Sequence, residues 1–256
     1  MSTAPAAAPA APAPDPGQPG LSQAARIVNT FIAPSQTFSD IKRSASWWAP
    51  FVLMAIVSYG FIAVVAQKVG WDQVTQNQIR LNPKAAERIE QLPAEQRAQQ
   101  MRIQTTVTKS ISYGFPVLNL LVLTIIAAVL MATFNFGAGA EIPFKQALAV
   151  VVYANLAGIV KALLAMVSLL AGSDPEGFTF QNPVATNLGY FVDPTTSRAL
   201  YSLASSVDVI AIWILVLTGI GFACISKLKT ATTMGVVFGW YLLITLISAG
   251  LAAAFS

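Results

Sequence analysis

Apolar residues in this chain come in blocks rather than in stripes. Five runs nearly free of charge stand at about Trp48 to Ala66, Phe115 to Phe134, Ala147 to Ala171, Val207 to Ile225 and Met234 to Ala254. Each is close to the roughly 20 residues that cross about 30 Å of hydrocarbon. The core of a soluble protein can imitate one such run, but not five. Inside a bilayer each run must satisfy its own backbone N–H and C=O groups, so the pattern predicts helices. The expected fold class is all-α: a polytopic bundle of five transmembrane helices over residues 47–256.

The segments between and before the runs carry patterns of their own. Residues 1–21 are mostly Ala and Pro, a composition that blocks helix and sheet alike and predicts a disordered tail. The tail lacks the basic start and continuous apolar stretch of a signal peptide. Over 22–46 the chain turns amphipathic: Ile27, Val28, Phe31 and Ile32 recur at helical spacing, Pro34 interrupts, and Phe38 and Ile41 resume. Two short helices would satisfy this. They either lie on the membrane with Arg26, Lys42 and Arg43 toward headgroups or pack on the protein's own bundle. SDIKRSASWWAPF (39–51) then marks where the chain enters the bilayer. Lys42 and Arg43 suit an anionic surface, Trp47 and Trp48 suit the aromatic belt, and Pro50 falls in a first helical turn, where a missing N–H costs little. The polar loop 67–110 also reads as helical, with Pro83 and Pro93 each opening a helix.

Composition agrees with this picture and narrows the function. The chain is 55% hydrophobic and 10% charged, against about 25% charged in an ordinary soluble domain. Its net charge of +4 is too small and too scattered for a nucleic-acid binder but suits cations set beside anionic lipid. Leaving the first loop aside, counting basic residues near the spans favours a cytoplasmic N-terminus: Arg26, Lys42, Arg43, Lys145, Lys227 and Lys229 on that side, against Arg198. The C-terminus then lies outside, as does the loop Gly172 to Ala204.

Little in the chain could perform catalysis. Histidine is absent and Cys224 is the only cysteine, so His-based acid–base work and an intramolecular disulfide are ruled out. There is no phosphate loop, no GxSxG elbow, no HExxH and no CxxC pair, and no cofactor is expected. FGAGAE (136–141) and TGIG (218–221) lack dinucleotide-binding spacing. Two charges inside the spans stand out. Lys161 lies in the third run, where a cation costs roughly 2.5–3.5 kcal/mol on insertion scales, and Asp208 lies at the outer end of the fourth. Either the two pair within the bundle, with Asn155 nearby, or Lys161 extends to the interface on its own. Gly235 and Gly239 form a GxxxG that lets backbones approach closely, either within the chain or across a homodimer.

FIAPSQTFSDIKRSASWWAPFVLMAI (31–56) resembles the start of Yip1-domain membrane proteins, particularly their prokaryotic branch. FNFGAGAEIPFKQALAVVVYANLAGIVKALLA (134–165) resembles the turn between their second and third spans. The resemblance covers about residues 22–254, and QNPVATNLGYFVDP (181–194) is shared with the prokaryotic members. It implies a small five-span protein of the cytoplasmic (inner) membrane, often self-associating and non-catalytic, whose partners are membrane lipids and membrane proteins. Its role would be membrane organisation or scaffolding. The alternative reading is a small transporter or lipid-handling protein using Lys161, Asp208 and Asn155. Eukaryotic members bind lipidated small GTPases, but the acidic D-L-Y-G-P stretch they carry ahead of the first span is not evident here.

Overall fold

The computed structural model describes residues 20–193 and 197–254. Most of the segment read as a disordered tail (1–21) lies outside the described residues.

The chain opens with a helical hairpin. Helix α1 (Gln23–Ile32) is capped by Ser22, whose hydroxyl accepts from the Ala25 N–H at 3.1 Å. Helix α2 (Pro34–Ile41) starts on a proline. The expectation that Arg26 faces headgroups is overturned, because Arg26 is 2% exposed and held by the hairpin itself. Its Nε lies 2.7 Å from Asp40 Oδ2, and it donates a second 2.7 Å bond to the Ser44 carbonyl. The hydroxyls of Thr30 and Thr37 both donate to the Arg26 carbonyl. A buried arginine needs such partners, since unpaired it would carry a heavy desolvation cost. Phe38 and Ile41 are fully buried in the main core, while Val28 and Ile32 point outward.

Helix α3 (Trp48–Lys68) is the first long apolar helix, with Pro50 in its opening turn. Of the two tryptophans expected in an aromatic belt, Trp48 is exposed, but Trp47 folds back onto the Phe51 ring at 6.0 Å. The loop after α3 is helical, as its prolines and polar faces predict. It contains α4 (Trp71–Arg80) and α5 (Pro83–Glu90), then α6 (Ala94–Ala132), which runs 39 residues without a break and carries Pro116 inside it. At a 1.5 Å rise α6 is about 58 Å long, so one rod joins a polar layer to the apolar bundle.

The third apolar run is not the single helix expected over 147–171. It divides into α7 (Phe144–Ala154), a 3-10 turn at Asn155–Ala157 and α8 (Gly158–Leu170). The side-chain amide of Asn155 donates to the Val151 carbonyl at 2.9 Å, drawing on the ladder's own acceptor, and Gly158 follows as a weak helix former. Residues 147–154 of α7 are buried on every side, which makes α7 the core of the molecule.

Helix α9 (Arg198–Ser206) precedes α10 (Val209–Ile225), and α11 (Thr230–Ala254) ends the described chain. With 17 residues, α10 is about 25 Å long, short of the hydrocarbon thickness. Four helical stretches are long and apolar enough to cross a membrane: Trp48–Lys68, Ala94–Gly137, Phe144–Leu170 and Thr230–Ala254. Val209–Ile225 is a shorter apolar helix.

The glycines that permit close helix approach are not those of the GxxxG. A Cβ added at Gly221 of TGIG would stand 2.4 Å from Val150 Cγ1 and 3.1 Å from Phe38, and one at Gly219 would meet Met234 Sδ at 2.4 Å. Helix α10 therefore lies on α7, α2 and α11 with backbone-close contact. Gly235 and Gly239 face outward, with nothing within 4 Å of an added Cβ.

Candidate functional site

Lys161 belongs to the first turns of α8, and Asp208 is the N-cap of α10. The structure brings them together, with Lys161 Nζ 2.7 Å from Asp208 Oδ2 and side-chain exposures of 25% and 6%. Lys161 therefore does not reach to an interface alone. The pair also fixes a register. Lys161 precedes the end of α8 at Leu170 by nine residues, about 14 Å along the axis, and α10 starts at that depth. Asp208 therefore lies well back along the bundle from the end of α8.

Asp208 has other partners. Its Oδ1 accepts from the N–H groups of Ile210 at 2.8 Å and Ala211 at 3.2 Å, the usual work of an N-cap. Its Oδ2 also accepts from the Thr186 hydroxyl at 2.9 Å. Asn187 pairs with Asp208 as an isolated antiparallel bridge and donates its amide to Asn182 at 2.7 Å. Asn182 in turn donates to the Tyr201 hydroxyl at 2.7 Å and to Ser205 at 3.2 Å. The largely irregular segment 178–193, with one 3-10 turn at Leu188–Phe191, is thus tied into the bundle through side chains, which makes irregular backbone tolerable among apolar helices.

Asn182, Thr186, Asn187, Tyr201 and Ser205 were not legible as site residues. Three of them, Asn182, Thr186 and Asn187, are small polar residues with no period in a loop, and the only signal was the distinctive QNPVATN stretch that holds them, while Tyr201 and Ser205 belong to α9. Asn155, read as a third member of the polar site, stays out of the ion pair and bonds to the Val151 carbonyl. It does line the same cleft as Lys161.

That cleft, about 770 Å³, lies between α3, α6 and α8. Phe51, Met54, Phe61 and Phe115 give it apolar walls, and among the described residues Lys161 is the one charged side chain on its surface. Lys42 and Arg43, the expected interface anchors, are exposed just past α2, where Arg43 lies 3.4 Å from Asp40. Among the described residues no group of three His, Cys, Asp or Glu side chains could hold a metal ion.

A second polar layer sits at the loop end of the bundle. The Asn77 amide donates to the carbonyls of Pro175 and Phe178, both at 2.8 Å. Arg80 donates to the Glu176 carbonyl, and Arg198 to that of Leu81 at 3.1 Å. The loop after α3 and the loop after α8 are therefore one joined surface.

Long apolar helices, a charged pair closed between two of them and polar loops gathered at one end define an all-helical membrane protein. The Yip1 domain family matches residues 28–252, from within α1 to near the end of α11, and the chain belongs to that family. No curated protein and no solved structure matches it.

Proposed function

We propose that this protein is a non-catalytic Yip1-type organiser of the membrane, presenting an ordered polar surface to membrane partners. The observation that carries the reading is the joined layer of α4, α5, the start of α6 and the 172–206 loop. Bonds from Asn77, Arg80 and Arg198 across segments about a hundred residues apart hold a shape that a plain linker would not need. The chain crosses the membrane five times. The fourth crossing is composite, with the 178–208 segment descending to the depth of Lys161 and α10 completing the passage. The N-terminus lies in the cytoplasm of a prokaryotic cell and the C-terminus outside, so the polar layer faces outward. Val28 and Ile32 of the hairpin meet the inner lipid surface, and the outward-facing Gly235 and Gly239 form a self-association seam.

The test is affinity capture from solubilised membranes. Deleting 67–110 should remove membrane-protein partners while Lys161→Met keeps them. Retention of every partner by the deleted chain would end the scaffold reading. A second reading, lipid handling or transport, draws support from the cleft beside Lys161 and predicts that Lys161→Met abolishes a flux while the protein still inserts.

A further inference from the structure

Asp208 is well satisfied without Lys161, because two backbone N–H groups and the Thr186 hydroxyl already donate to its carboxylate. Lys161 spends one of its three N–H donors on Asp208. Its side chain is one-quarter exposed and lines the cleft between α3, α6 and α8. Among the described residues no acidic side chain shares that lining, so the wall presents a cation whose counter-charge is fixed behind it.

A path leads to this cation. Gln104, Thr108, Ser112 and Asn119 of α6 all line the cleft. Their spacings of four, four and seven residues put them on one helix face. At 1.5 Å per residue the stripe is about 22 Å long, and it starts at the polar layer, where Gln78 of α4 also reaches the cleft. Phe115 interrupts the stripe on the same α6 face, and the walls facing it from α3 are Phe51, Met54 and Phe61. A polar stripe beside apolar walls suits an amphiphile better than a free ion. One leaflet is about 15 Å deep, half of the roughly 30 Å of hydrocarbon, so the cleft is long enough for one lipid chain.

We propose that the cleft binds an acidic phospholipid taken from the bilayer, its phosphate drawn down the α6 stripe to Lys161 and one acyl chain laid against Phe51, Met54 and Phe115. This rests on the lipid-handling reading above and names its ligand. The remaining ammonium donors offer the charge-assisted bonds that a phosphate accepts, and the amides of Gln104 and Asn119 supply donors along the descent, where bare hydrocarbon would oppose it.

The experiment uses the full chain in nanodiscs of phosphatidylcholine mixed with phosphatidylglycerol, followed by native mass spectrometry of the lipids it retains. Wild type should hold phosphatidylglycerol in preference to phosphatidylcholine. Lys161→Met should lower that preference by about tenfold or more, and Lys161→Arg should keep it. Ala162→Phe, which places a ring in the cleft without touching the charge, should lose both lipids. That variant carries the test should Lys161→Met fail to fold. Equal retention of the two lipids by wild type, undiminished preference in Lys161→Met, or undiminished retention of phosphatidylglycerol by Ala162→Phe would overturn the site. Transbilayer movement of a labelled phosphatidylglycerol is scored separately. Selective retention without movement removes the transport reading and leaves the bound lipid standing.

Discussion

Asp208 divides two tasks between its two carboxylate oxygens. One caps α10 through Ile210 and Ala211, and the other receives Lys161 and Thr186. The two partners of the ion pair therefore differ in what their loss should do. Asp208→Ala strands a partly buried ammonium and uncaps a helix, a change worth about 3–5 kcal/mol for a broken buried pair plus about 1 kcal/mol for the cap. Lys161→Met leaves a carboxylate that still has four donors, from Ile210, Ala211, Thr186 and Asn187, and should cost clearly less. Thermal unfolding of both single variants and the double variant in detergent checks this. Equal losses, or singles that simply add, would show that the pair is not coupled as its geometry requires.

Among the elements, packing rests on positions that periodicity does not mark. Gly221→Leu should disrupt the bundle, at the upper end of the about 1–3 kcal/mol typical of overpacking, because Val150 and Phe38 leave no room. Gly235→Leu and Gly239→Leu should leave the monomer's melting temperature unchanged and reduce any dimer seen by crosslinking. A Gly235→Leu chain that fails to fold would contradict the open face of α11. The long apolar runs and the helix-opening prolines Pro83 and Pro93 were legible because hydrocarbon and proline each impose a local rule. The break at Asn155 was not, since a lone asparagine in an apolar run changes the helix only through where its amide points. The seating of the segment 178–193 against α9 and Asp208 was hidden for a related reason. Its asparagines and Tyr201 act on partners up to 23 residues away, and no local pattern records such pairing. TGIG was read as lacking a nucleotide motif, whereas its glycines act by contact, which only the assembled bundle reveals.

Taken whole, the molecule gathers two loops far apart in sequence into one surface, and that fixes a relation between compartments. In a Cys224→Ser background, Arg88→Cys and Ser173→Cys should react with an impermeant maleimide from the same side of the membrane, and Lys42→Cys from the other. Labelling of Arg88→Cys and Ser173→Cys from opposite sides would break the joined layer and the crossing count together. The N-terminal hairpin adds an order in time. Phe38 of α2 rests against Gly221 of α10, a residue the ribosome supplies more than 180 positions later. Through most of synthesis the nascent hairpin therefore waits without its seat, its Arg26–Asp40 clip closed over an uncovered apolar face. Biogenesis of this protein finishes where it began, when α10 arrives and the first helices dock upon it.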